Sequence, residues 1–269
     1  MNDLRAGWVC LPIPMRNWPG YRRETQPLRR SGSFPSRPSP LRAEAMKTIA
    51  LIDYGSGNLH SAARALRVAS NNAKKTREIR ITADPSAIAY ADRIVLPGVG
   101  HFADCAENLR QHDGLVEAVN EAGMVRGVPF FGICVGQQLL ATRGLEDGET
   151  PGLDWIPGDV DRIEPGEGLV VPHMGWNALS LHQDHPVLDS LGEDPHVYFT
   201  HSYAYRNPAQ KDVAATTHYG EPIIAAVARD NLFATQIHPE KSQRVGLQIL
   251  TKIVLRDPKS PFNSIPRST

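Results

Sequence analysis

Cysteine is scarce in this sequence: Cys10, Cys105 and Cys134 are all that 269 residues contain, with no C-x-x-C pair among them. That excludes a disulfide scaffold and a cysteine-built zinc site, and it fits a reducing, cytoplasmic setting. Long apolar runs are missing as well. None approaches the roughly 20 residues that span a bilayer, so no membrane association is expected. Net charge is absent too, since 29 Lys and Arg balance 29 Asp and Glu. The balance is uneven: residues 1 to 45 carry eight Arg against Asp3, Glu24 and Glu44, which leaves 21 basic and 26 acidic residues from Met46 onward. A mildly acidic body argues against nucleic acid as a partner.

What is present suffices for a globular core, with 41% hydrophobic residues. Residues 1 to 45 stand apart. Seven Pro, eight Arg and many Ser, without a period of 2 or 3.6, cannot bury enough apolar surface to fold. They are expected to be a disordered leader, read as a start-site artefact with Met46 as the natural start and 46 to 269 as the folded domain. A transit peptide would share the Arg- and Ser-rich composition, but the prolines leave no amphipathic stripe.

From Lys47 the pattern alternates apolar strands with amphipathic helices. Strands are expected at 47 to 53, 77 to 82, 93 to 96 and 128 to 133, and helices at 58 to 69, 103 to 111 and 114 to 125. Beyond residue 150 the texture turns to short β-like runs, at 197 to 200, 213 to 217, 223 to 229 and 232 to 237, before a last helix from Ser242 to Leu255. Alternating β and α units predict an α/β fold with a mostly parallel central sheet flanked by helices.

Three places carry chemistry. Gly132-Ile133-Cys134-Val135-Gly136 has the G-x-nucleophile-x-G form of a strand-to-helix elbow, with Cys for Ser. A buried structural cysteine between packing glycines is the alternative. A nucleophilic Cys needs a base, and the base needs a third group to hold it. His238-Pro239-Glu240 supplies both at the end of the run 232 to 237, where Pro239 keeps His238 extended and Glu240 is expected to lead into the last helix. Of the nine other histidines, His182, His185 and His196 sit among loop signals; His173 and His201 are better placed, yet only His238 ends a strand with a carboxylate two residues on. A zinc deaminase also uses H-x-E, but its P-C-x-x-C partner is missing here. Third, Pro97-Gly98-Val99-Gly100 follows a strand, and its glycines would let backbone amides face a developing oxyanion. The earlier Gly55-Ser56-Gly57 turn is a poor dinucleotide site, because His60 stands where a third glycine is needed. Cys105, inside a helical stretch, reads as a small core residue.

Jointly these segments resemble the class I, triad-type glutamine amidotransferases. Gly132 to Gln138 looks like that family's nucleophile segment and His238-Pro239-Glu240 like its His-x-Glu pair. More narrowly, the chain resembles the glutaminase subunits of imidazole glycerol phosphate synthase. The matching residues are 52 to 59, Leu96 to Gly100, Val171 to Asn177, Phe199 to Tyr203 and Gln236 to Ser242. The resemblance implies a flavodoxin-like three-layer sandwich with Cys134 as nucleophile, His238 as base, Glu240 as its orienter and the amides of Val99 and Val135 as oxyanion hole. It further implies that Gly98, Gln138, His201, Ser202 and Tyr203 bind L-glutamine, and that Asn58, Met174, Trp176 and Asn177 face a partner. That partner would be a (β/α)8-barrel cyclase, joined as a heterodimer and fed with ammonia for histidine biosynthesis; no metal or cofactor is implied. Two departures stand out: Val135 and Gln137 occupy positions where Leu and Met are commoner. From the residues alone, Met174 and Trp176 also read as a core pair. A glutaminase serving another synthase, a Cys-dependent hydrolase acting alone and a silent regulatory module on the same fold are the rival readings.

Overall fold

The computed structural model describes residues 47–256 and the two-residue strand Ile265–Pro266. The leader expected over 1 to 45 lies outside the described residues.

Eight strands form the main sheet. Chain order gives β1 (Lys47–Ile52), β2 (Arg77–Thr82), β3 (Arg93–Gly98) and β4 (Phe130–Cys134), then β5 (Asp159–Arg162) and β6 (His173–Ala178), which lie outside it. There follow β7 (Ser180–Leu181), β8 (His196–His201), β9 (Tyr203–Arg206), β10 (Val213–Tyr219), β11 (Glu221–Arg229) and β12 (Leu232–Thr235). Across the sheet the order is β2-β1-β3-β4-β12-β11-β10-β7. The first five are mutually parallel and the last three join antiparallel. Strands β3 and β4 are buried along their whole length, as continuous apolar runs covered on both faces must be.

The helices are α1 (Leu59–Asn72), α2 (Pro85–Ala89), α3 (Phe102–Gln111), α4 (Leu115–Asn120), α5 (Val135–Gln138) and α6 (Gln243–Leu255). In α1 the buried Ala62, Ala63, Leu66, Ala69 and Ser70 recur at helical spacing and give the inner face, while Asn58 caps the first turn by accepting from Ser61 N at 3.3 Å. Helix α6 likewise buries Val245, Ile249, Ile253 and Val254 in the same core.

Three boundaries depart from the sequence pattern. The helix expected through 125 is α4 followed by a π-helical turn, Glu121–Val125, where Gly123 leaves room for the Trp155 ring. Helix α5 stops after one turn, because the carbonyls of Leu139, Leu140 and Ala141 accept from Leu153, Trp155 and Asp154 instead of from a next turn. Glu240 does not open the last helix. It sits in a 3-10 turn, Pro239–Lys241, separated from α6 by Ser242, whose Oγ donates to His238 O at 2.8 Å.

A smaller antiparallel pair, β6 with β8, places His173 opposite His201, and β9 pairs with β5. No helix among the described residues is long and apolar enough to cross a membrane.

Candidate active site

Parallel sheets carry their sites beyond the carboxyl ends of their strands, where the loops leave. Here β3 ends at Gly98, β4 ends at Cys134, and the chain leaving β12 reaches His238 three residues later. These three ends meet around one pocket of about 450 Å³.

Cys134 has φ 55° and ψ −113°, a conformation that a non-glycine residue adopts only under constraint. The constraint comes from close backbone approach. A Cβ on Gly136 would lie 1.9 Å from Leu96 O, and one on Gly132 would lie 2.6 Å from Gly136 O. Any larger residue would push β4 and its turn away from β3. Cys134 is buried apart from the pocket it lines with His238.

His238 Nδ1 lies 2.8 Å from Glu240 Oε1, and both side chains are buried. A carboxylate accepts, so Nδ1 carries the proton and Nε2 is left for the Cys134 sulfur, which lines the same pocket. Burial alone would depress the His238 pKa, but the hydrogen bonds to Cys134 and Glu240 and their charges outweigh it and raise it to about 9.

The two expected oxyanion donors differ in state. Val135 N–H belongs to the first residue of α5, which has no preceding turn to donate into. Val99 N–H is engaged: it donates to Ser56 Oγ at 3.3 Å, while that hydroxyl lies 2.8 Å from Val99 O and 3.1 Å from Cys105 Sγ. Two residues earlier, Tyr54 Oη donates to Pro97 O at 2.6 Å. Buried Cys105 is the core residue expected, with the added contact to Ser56.

Gln138, His201, Ser202 and Tyr203 all line the pocket, and Gly98 lies behind it against Tyr54 and Val135. Gln138 Nε2 donates to Tyr203 O at 3.0 Å and to Gln236 Oε1 at 2.9 Å, so its own carbonyl oxygen is the group left for a ligand. Three residues were missed by the sequence reading. Gln236 donates from Nε2 to Cys134 Sγ at 3.5 Å; its place two residues before His238 on an extended chain was the available signal, since i and i+2 share a face. Glu146 and Lys241 also line the pocket, and the Lys241 ammonium lies 5.8 Å from the centroid of the Tyr198 ring. Glu146, with Oε2 held by Phe102 N at 2.8 Å, comes from a turn-rich stretch with no motif spacing.

Of the expected partner-facing residues, Met174 and Trp176 are 62% and 48% exposed, which removes the core-pair reading, and Asn58 is exposed at the pocket rim. Asn177 is half-buried and turns its amide inward. Among the described residues no group of three or more His, Cys, Asp or Glu is placed to share a metal ion.

Comparison with known proteins identifies the family. Residues 50–256 match the family Glutamine amidotransferase class-I. The chain is 51% identical over 210 residues to the imidazole glycerol phosphate synthase subunit HisH of Caulobacter vibrioides, covering 78% of this chain and 98% of that protein. It is 50% identical over 211 residues to the HisH subunit of Bradyrhizobium diazoefficiens, with 77% and 98% covered. Among solved structures, a glutamine amidotransferase crystal structure superposes with a TM-score of 0.58 at 18% identity, covering 76% of this chain and 98% of the other. A glutamine amidotransferase of Thermotoga maritima gives 0.50 at 16% identity, covering 75% and 79%. At such identities these two speak for the fold alone.

Proposed function

The chain belongs to the class I glutamine amidotransferases and, within them, to the HisH subunits of imidazole glycerol phosphate synthase, and from that membership we propose that Cys134, His238 and Glu240 release ammonia from L-glutamine for a cyclase subunit. Its activity is the glutaminase half of the synthase in histidine biosynthesis. The observation that carries the assignment of residues is the His238–Glu240 pair, 2.8 Å apart, beside a cysteine held at positive φ.

The Cys134 thiolate attacks the carboxamide carbon. The oxyanion that forms takes hydrogen bonds from Val135 N–H and from Val99 N–H, which must first leave Ser56 Oγ. His238 gives its Nε2 proton to the departing nitrogen, the C–N bond breaks, and ammonia and a glutamyl thioester result. His238, now neutral, takes a proton from water as its oxygen attacks the thioester. Glutamate leaves, and thiolate and imidazolium are restored. Glu240 keeps the proton on Nδ1 throughout.

Glutamine presents an ammonium and a carboxylate at the end remote from its amide. The Glu146 carboxylate is the pocket's match for the first. Ser202, Tyr203 and the carbonyl oxygen of Gln138 supply the neutral contacts. Ammonia set free into water at neutral pH would be protonated and lost as a nucleophile, so it must pass directly to an acceptor site. The barrel cyclase is that acceptor, docked over the exposed Met174 and Trp176 with Asn58 and Asn177 at its margin. The ammonia closes the ring of imidazole glycerol phosphate.

The test mixes the chain with the cyclase subunit and glutamine, and follows glutamate and imidazole glycerol phosphate together. Cys134→Ala is expected to abolish both products, and full activity in that variant would sink the mechanism. Failure of the two chains to form a complex would sink the choice of partner.

A further inference from the structure

Cys134 is the inner end of a hydrogen-bonded chain that begins at the surface strand β6. Its first link is Asn177 Nδ2 to His173 Nε2 at 3.3 Å, and its second is His173 Nδ1 to His201 Nε2 at 3.0 Å. His201 Nδ1 then meets Tyr203 O at 2.9 Å. The same carbonyl accepts from Gln138, which donates on to Gln236, whose Nε2 reaches the Cys134 sulfur at 3.5 Å.

Every link has a fixed direction. A carbonyl only accepts, so His201 Nδ1 carries the proton and its Nε2 accepts from His173 Nδ1–H; His173 Nε2 then accepts from Asn177. Asn177 cannot be turned round, because its Oδ1 accepts from Ala178 N at 2.9 Å and its Nδ2 also donates to His218 O at 2.9 Å. Both histidines are buried, and burial lowers their pKa, to about 4 for His173 and about 3 for His201, so both stay neutral at working pH and the direction persists. His173 is clamped between Phe199 and Tyr219, ring centroids 4.7 and 4.1 Å away.

We infer that His173 and His201 are positioning residues for the glutaminase reaction, linking strand β6 through Tyr203 and Gln138 to the amide of Gln236 that donates to the Cys134 sulfur. The inference rests on the amidotransferase reading for its reaction, though not for its geometry. Residues 174 and 176 point out of β6 and 173 and 177 point in, as strand alternation requires. A body resting on Met174 and Trp176 therefore bears on the strand that holds the outer end of the chain. With the chain broken at its outer end, His201 is set less firmly against Tyr203 O, and Gln138 and Gln236, which hang from that carbonyl, are held less firmly against the Cys134 sulfur.

The test reads the pH dependence of Cys134 alkylation by iodoacetamide, followed on the Cys134 peptide by mass spectrometry, in the full chain. His173→Phe keeps the ring stack and deletes the donor; Asn177→Leu removes the outer link from a half-exposed position. Both are expected to move the midpoint of the alkylation profile up by roughly 0.5 to 1 pH unit, about half the worth of one hydrogen bond to a charged sulfur, since the Gln236 donor is loosened and not removed. A purely structural role would lower stability without moving that midpoint. If His173→Phe does not fold, Asn177→Leu decides. An unmoved midpoint in the folded variants overturns the inference while leaving glutamine hydrolysis standing. A moved midpoint in a chain that hydrolyses no glutamine, even with its partner subunit, supports the inference and defeats the amidotransferase reading.

Discussion

Glu240 touches no substrate, yet the chemistry of His238 depends on it. Its carboxylate selects the tautomer that leaves Nε2 for sulfur, and it helps to hold the imidazole charged. Glu240→Gln removes the charge and can present an N–H where an acceptor is needed. The expected result is a fall in kcat of roughly 10⁴-fold with KM little changed, following the behaviour of triad orienters. The loss of the carboxylate also lowers the His238 pKa, so the limb of the pH-rate profile set by His238 should move to lower pH. Steady-state glutamate release across pH 6 to 10 in the complex checks both, and a variant with unchanged kcat would remove Glu240 from the triad.

At the scale of elements, the turn after β1 and the strand end of β3 form one device. Ser56 from the first contacts both the N–H and the C=O of Val99 on the second, Tyr54 holds Pro97 O, and Cys105 in α3 backs Ser56. So held, Val99 N–H is occupied. Ser56→Ala frees that donor, and the glutamine hydrolysis of the chain without its partner should rise by up to about tenfold, the value of one recovered hydrogen bond in the transition state. A glutaminase assay on the isolated subunit decides: an unchanged or lowered rate means that Ser56 does not limit access to the oxyanion donor.

At the scale of the whole molecule, the buried histidines make stability depend on pH from both sides. The folded pKa of His238, about 9, lies above the unfolded value of 6.5. Its contribution is thus fully present below pH 6.5 and is lost as pH rises through 9. His173, His185 and His201 have folded values of about 4, 3 and 3, below 6.5. Their unfolded forms bind protons that their native forms refuse, so stability falls as pH drops below 6.5. Melting temperatures measured from pH 4 to 10 should decline along both limbs. Cys134→Ala, which removes one support of the His238 charge, should flatten the alkaline limb. His185→Phe, which keeps the ring packed on Phe233, should flatten the acid one. An alkaline limb equally steep in Cys134→Ala would contradict the raised His238 pKa.

Much of this molecule was determined by the sequence itself. The parallel strands β1 to β4 and the long helices α1, α3 and α6 follow from local periodicity, because apolar spacing and burial are the same information at short range. The candidate triad was legible for a similar reason: an elbow needs its glycines within two residues of the nucleophile, and His238 has its carboxylate two residues on. The tertiary structure decided what depends on residues far apart in the chain. Strand β6 and its pairing with β8 carry too little alternation to be read, and only that pairing brings His173 to His201. Helix α5 ends early because a segment fifteen residues later takes its carbonyls. Gln236, Glu146 and the Ser56 hold on Val99 likewise arise where separate strand ends converge, and no spacing in one segment encodes a contact whose other half lies 40 to 100 residues away.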